Sequence, residues 1–372
     1  MKAGKTLHVV AQELERIRDN AVDYLADSSA LTAEARADDV AVLLGDRQDG
    51  ERFGIRRTAH SHLSGFCEIP ARYYNRLLNE SRELWAENVN HWLRANSRRR
   101  FVRTLDGHLR AFLSDQYRPL DNWEFANAVL PVVAELGGKV ESCEITEKRL
   151  YLKVVRPDLQ AEIMAPNARW GRGHDRVDIV QAGLVLSNSE VGCGRIAVQP
   201  AIHTTACTNM MISKTNVFAK THLGRRLGGG DDDGIERWLS DATRRQRDQV
   251  VWAELRDVAR AALDGRIFHE TVKRLREARQ VDLVQKDDQI IPTVEKVANH
   301  YGIRDNESEG VLDYFIKGGD LTWYGMHSAV TRYAQDVDSY DRSTELEEIG
   351  GRMIETPTNK VRRLLAAVPS AN

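Results

Sequence analysis

Cysteine, proline and long apolar runs are scarce in this chain. Its 372 residues include 4 cysteines and 9 prolines. Cys67, Cys143, Cys193 and Cys207 are too few and too scattered to staple a chain of this length, which excludes a disulfide scaffold and makes a reducing cytoplasm the expected compartment. No apolar stretch approaches the roughly 20 residues of a membrane-spanning helix. Met1 to Ala11 lacks the apolar core and small-residue cleavage site of a secretory leader. Catalytic signatures are missing too. There is no Gly-x-Ser-x-Gly, and the Asn188–Gly194 turn lacks the glycine spacing and Lys-Ser/Thr of a Walker-A loop. Cys193, His203, Cys207 and His222 contain no CxxC or HxxxH pair, so neither zinc nor any cofactor is expected.

What remains is a composition suited to a globular protein with two or three domains, 42% hydrophobic and 29% charged. The net charge is -2, but it is unevenly spread. Residues 96–230 hold 19 Lys+Arg against 13 Asp+Glu, a net of +6, between acidic flanks. A basic centre of this kind suits a polyanion, most simply nucleic acid. Its densest part is Arg98, Arg99, Arg100, Arg103, Arg110 and Arg118, interrupted only by Asp106 and Asp115. A second basic set, Lys214, Lys220, His222, Arg225 and Arg226, lies in the stretch Val191 to Gly230, which contains no acidic residue.

The periodicity predicts the elements. Leu7, Val10, Leu14, Ile17, Ala21 and Tyr24 recur at helical spacing. Val40 to Leu44 is a short apolar run, a strand or a short helix between loops. Helices are expected over Ala71 to Leu78 and on to Asn96. From Arg99 the period becomes two, and Asp106-Gly107 between alternating segments is a hairpin signal. A helix follows, capped at Asp121 or Asn122, kinked by Pro131 inside it and ended by Gly137-Gly138. Val140–Ile145 with Leu150–Val155 gives a second hairpin, and Ile179–Leu186 and Arg195–Thr204 further strands. After the linker Gly228–Gly234 the pattern is helical. The expected fold class is therefore α+β: a small antiparallel sheet with a crossing helix over 97–230. Mostly helical residues 1–96 precede it, and a helical region 235–355 and a tail 356–372 follow.

On a strand, Arg98, Arg100 and Thr104 share one parity and Arg99, Arg103 and Leu105 the other. No single face carries every arginine. The expected phosphate track is Arg98, Arg99, Arg100, Arg103, Arg110 and Arg118, extended by Lys153, Lys214, Lys220, Arg225 and Arg226, with Phe101, Phe112 or Tyr117 for stacking. His174, Asp175, Asp178 and Glu190 are residue types that hold magnesium, so a metal-dependent enzyme acting on nucleic acid is the rival reading. A third is an interaction protein that counters a host defence factor.

Several segments carry a resemblance. Arg103–Gly107, Arg110–Arg118, Gly183–Gly192, Cys207-Thr208-Asn209, His222–Arg225 and Thr331–Asp336 with Leu346-Glu347 resemble a phage and plasmid family called domain of unknown function nine-thirty-two. Met210 departs from it, standing where the family pattern implies glycine. The resemblance implies a mobile-element setting and no defined activity. The element order is similar, more weakly, to phage single-strand annealing proteins of the Red-beta, Erf and Sak types, which form rings or filaments holding single-stranded DNA in a basic groove. The combined expectation is a non-enzymatic, homo-oligomeric protein that binds and anneals single-stranded DNA.

Overall fold

The computed structural model describes residues 1–46, 49–164, 177–214, 218–220, 240–284 and 286–366. It is an α+β fold with two largely antiparallel sheets. The first sheet has the order β1-β5-β6-β4-β3-β2. Its strands are β1 (Ala21–Asp27), β2 (Leu31–Ala35), β3 (Val40–Leu44), β4 (Glu51–Ile55), β5 (Arg99–Leu105) and β6 (His108–Ser114). Helices α2 (Arg57–Phe66), α3 (Ala71–Glu80) and α4 (Arg82–Ala95) bury one face of it with Leu63, Tyr74, Trp85, Val89 and Leu93. The apolar run Val40–Leu43 is buried throughout, as an interior strand with no wet face should be.

The expected hairpin is present. Asp106 and Gly107 take φ of 50° and 72°, the positive pair that a two-residue turn of right-handed twist requires. Its place differs from expectation. Strand β5 pairs with β1, and β6 pairs with β4. The hairpin therefore belongs to the first sheet, and an expected boundary at residue 97 runs through that sheet. Residues 1–96 carry the expected helices and also four strands. Helix α1 (Leu7–Asn20) stops at Asn20, and Ala21 to Tyr24 continue as strand. The near-helical spacing of Ala21 and Tyr24 had concealed that strand.

The second sheet has the order β11-β10-β9-β8-β7, with β12 also on β10. Its strands are β7 (Lys139–Ile145), β8 (Leu150–Met164), β9 (Val177–Asn188), β10 (Ile196–Thr204), β11 (Asn209–Ile212) and β12 (Phe218–Lys220). Helix α5 (Asn122–Glu135) crosses it and runs through Pro131. Phe125, Val129 and Val132 of α5 meet Leu152, Leu184 and Val198, under α1 and helix α6 (Asp241–Ala262). The remaining helices are α7 (Gly265–Ala278), α8 (Ile290–Tyr301), α9 (Asp305–Gly318), α10 (Trp323–Tyr333), α11 (Tyr340–Glu355) and α12 (Thr358–Ala366). Together they form a separate core with Ile163, Val180, Ile202 and Met211 of the sheet. Met210, in β11, is fully buried against Val155 and Val185.

The two sheets meet where the turn after β9 presses on the outer face of the β5–β6 hairpin. Leu113, Tyr117 and Val191 pack there, and the Tyr117 hydroxyl donates to the Ser189 carbonyl at 2.9 Å.

Candidate nucleic-acid interface

The chain enters β5 from α4 through Ser97 and Arg98. This lead-in is fastened by the short turn at Ser28. Ser28 N–H donates to Arg98 O at 3.0 Å, Arg98 N–H donates to Ser28 Oγ at 3.2 Å, and Ser28 Oγ donates to Leu93 O at 2.8 Å. The backbone is thus held, and three consecutive arginine side chains leave it in alternating directions.

Arg98 and Arg100 turn to the helix-bearing side. Their guanidinium carbons lie 5.5 and 5.1 Å from the centre of the Phe66 ring. Arg100 also lies 4.8 Å from the Phe112 ring and donates to Phe112 O at 3.1 Å. Phe66 and Phe112 meet edge to face at 5.2 Å. Such guanidinium–ring contacts hold a charge in place without neutralising it. Arg100 is half-buried, and its pKa falls below the usual guanidinium value through burial first and the Arg98 charge second, against the pull of Asp115. Arg99 is exposed on the opposite side, in register with Asp27 of β1. Among the described residues, Arg98, Arg99 and Arg100 make no ion pair.

His62 of α2 completes the cluster. Phe112 N–H donates to its Nδ1 at 3.3 Å. Burial, with the Arg100 charge, pushes the imidazole pKa down to about 4. At neutral pH the ring is neutral with its proton on Nε2, so His62 supplies a second donor type beside the arginines.

The other expected phosphate ligands are engaged elsewhere. Arg103 is buried, paired with Asp23 at 2.9 Å and Asp121 at 2.8 Å, and donates to Glu190 O at 2.9 Å. Burial alone would lower its pKa, but Asp121 and Asp23 outweigh it and raise the value. Arg110 is buried against Glu190 at 2.7 Å. Arg118 donates through Nε to Asp248 at 2.6 Å. Lys153 is fully buried with Glu347 at 2.5 Å, and Lys214 pairs with Glu348 at 2.5 Å. Arg103, Arg110 and Lys153 are therefore corrected from surface contacts to interior ion pairs. Strand parity gives the side on which a residue lies, but not whether another element covers that side. Lys220 ends β12, and its side chain lies outside the described residues, as do Arg225 and Arg226.

The rings expected to stack are engaged within the protein as well. Phe112 and Tyr117 are buried, and Phe101 stacks on Tyr117 with ring centres 6.2 Å apart. Phe66 is the ring that meets Arg98 and Arg100, and His62 accepts from Phe112 N–H beside them. Neither was picked out from sequence, although Ala59, Leu63 and Phe66 share the spacing of a buried helix face.

The carboxylates of the metal reading are likewise occupied. Asp178 pairs with Arg279 at 3.1 Å in the interior. Glu190 accepts from Arg110 and from Asn122 N–H, the latter at 2.7 Å. His174, Asp175 and His222 lie outside the described residues. Among the described residues, no three His, Cys, Asp or Glu side chains gather at metal-binding distance, and no helix is long and apolar enough to cross a membrane.

No family model, curated protein or solved structure matches the chain.

Proposed function

We propose that this protein binds single-stranded nucleic acid, DNA by preference, and pairs complementary strands as an oligomer, in the setting of a phage or other mobile element. The observation that carries the reading is the Arg98–Arg99–Arg100 cluster. It offers three adjacent guanidinium groups without ion-pair partners among the described residues, two of them braced on Phe66. Guanidinium groups serve phosphates as charges and bases as stacking planes. The mobile-element setting comes from the resemblance of the Arg103–Arg118 and Gly183–Gly192 segments to the phage and plasmid family.

Annealing needs no catalytic residue. It needs a backbone grip that leaves base edges free, repeated over several subunits because one cluster spans few nucleotides. The nuclease alternative loses support from the arginine pairing of Asp178 and Glu190.

The test is fluorescence anisotropy with labelled single-stranded and duplex DNA across a salt series, with and without magnesium. Tighter single-strand binding that weakens steeply with salt and leaves the probe intact is the expected result. The double variant Arg99→Glu with Arg100→Glu should lose most of that binding and flatten the salt dependence. Unchanged affinity in the variant would overturn this site, and magnesium-dependent loss of the probe would establish a nuclease instead.

A further inference from the structure

Strand edges attract other strands, because their outward N–H and C=O groups lack partners. Several edges of this protein are covered. Asn90 of α4 closes β2, accepting from Ala33 N–H at 2.7 Å and donating to Ala33 O at 2.8 Å. Residues 2–5 close β7, with Lys5 N–H on Cys143 O at 2.7 Å and Ser142 Oγ on Lys2 O at 2.9 Å. Helix α11 lies so close over β11 that a Cβ at Gly351 would stand 1.8 Å from Ile212 O.

Strand β1 differs. Thr104 Oγ1 donates to Val22 O at 2.9 Å and Ser28 N–H donates to Arg98 O at 3.0 Å, so the backbone groups of the even residues face β5. By alternation those of Asp23, Leu25 and Asp27 face outward. Ala21 also faces outward, and its N–H is taken by Ile17 O of α1. Among the described residues, nothing hydrogen-bonds to the backbone of Asp23, Leu25 or Asp27. Val22 and Leu25 are 49% and 48% exposed on this edge.

We propose that β1 is a docking edge for a second copy of this chain, joined antiparallel about a two-fold axis at Tyr24. The inference rests on the oligomeric part of the function proposed above and names its surface. The register follows from charge and hydrogen bonding together. A ladder must match outward residues with outward residues, so the axis passes through a residue and not between two. An axis at Asp23 sets Asp23 against itself. An axis at Leu25 sets Asp23 against Asp27. Both place like charges directly opposite, which is destabilising. An axis at Tyr24 sets Asp23 against Leu25 of the second copy and Asp27 against Ala21 of the second copy, and no carboxylate opposes another. The two Asp23–Leu25 pairs exchange four main-chain hydrogen bonds, and Tyr24, whose ring packs on Phe53 at 5.9 Å within its own copy, lies at the axis.

This arrangement has a consequence for the arginine clusters. Arg99 sits in register with Asp27, so the clusters of the two copies fall at opposite ends of the shared edge. Six residues of offset at ~3.4 Å each, and three strand spacings of ~4.8 Å, separate them by roughly 25 Å. A strand reaching both gains avidity that either cluster lacks alone.

The test is sedimentation velocity of the full chain without DNA, on the wild type, Leu25→Pro and Leu25→Lys. The Leu25 N–H faces outward, so proline there removes no internal hydrogen bond, and lysine is a natural guard of edges. The wild type should form dimers, and the dimer dissociation constant should rise at least about tenfold in each variant. A monomeric wild type, or variants that dimerise like the wild type, would overturn the proposal. Anisotropy with an oligothymidine of about 8 nucleotides, short enough for one cluster, separates the two readings. Leu25→Pro should bind it as the wild type does and lose affinity only for longer strands. Arg99→Glu with Arg100→Glu should still dimerise and fail to bind. If the wild type dimerises through β1 yet binds no DNA, the docking edge stands and the function falls.

Discussion

Lys153 Nζ lies 2.5 Å from Glu347 Oε2, with neither side chain exposed to solvent. The pair joins the first part of β8 to α11 and so ties the second sheet to the C-terminal helices. Burial lowers the lysine pKa, and Glu347 opposes the shift. The Tyr340 ring, 4.6 Å from Nζ, adds a further contact.

A buried pair is costly to halve and cheap to replace whole. Glu347→Gln leaves an ammonium group inside the protein without its counter-charge. We expect it to lower stability by about 3–5 kcal/mol, whereas Lys153→Met with Glu347→Leu should come close to the wild type. Urea unfolding of the three proteins checks this. A Glu347→Gln variant as stable as the wild type would show that the pair holds nothing together.

His62 sets an acid limit. Its imidazole falls from an ordinary 6.5 to about 4 through burial and then the Arg100 charge. A depressed folded pKa gives stability that is present above the unfolded value and lost as pH falls from about 6.5 towards 4. The share lost by pH 5 is about 2 kcal/mol, and His203 and His327, also lowered to about 4 by burial, act in the same direction. Asparagine can accept from Phe112 N–H without titrating. His62→Asn should therefore flatten the fall in urea midpoint between pH 7 and pH 5, and an unchanged slope would remove His62 from the account.

Local signals in the sequence were legible, and long-range ones were not. Asp106-Gly107 announced its turn because the conformation is decided within two residues. The apolar stripe of α5 was plain for the same reason. The fate of Arg103 was not, because Asp23 lies 80 residues before it and Glu190 lies 87 residues after it. Only the fold brings those groups together, and the charge count across 96–230 cannot separate a solvated arginine from a buried one. Strand β1 was hidden by a different mechanism. Ala21 and Tyr24 continue the helical spacing of Ile17, while the chain itself turns extended at Ala21.

Gly192 holds the joint between the sheets. Its φ is 72°, and a Cβ there would stand 2.6 Å from Leu113 Cδ2. Both the left-handed backbone and the contact oppose a side chain. Gly192→Ala should cost at least about 1–2 kcal/mol. The expected readout is a lower melting temperature with salt dependence of DNA binding unchanged, because the substitution removes none of the guanidinium groups of the Arg98–Arg100 cluster.

Two arginines four residues apart on one strand should fail in different ways. Arg103 is 1% exposed and holds Asp23 and Asp121. Arg103→Gln removes the charge-assisted hydrogen bonds to Asp23 and Asp121, which keep 28% and 36% of their side-chain surface in solvent, and the donor to Glu190 O, at an expected loss of about 2–3 kcal/mol. Protein that remains folded should bind DNA with the wild-type salt slope, since Arg103 releases no counterion on binding. Arg99 is exposed without an ion pair, so Arg99→Gln should change stability by less than about 0.5 kcal/mol and lower the salt slope by about 1. Urea unfolding and a salt titration of anisotropy on both variants give the four numbers. Equal effects on slope would mean that strand β5 opens on binding, whereas a stability loss at Arg99 matching that at Arg103 would mean that the exposed cluster is structural and that nucleic acid is held elsewhere.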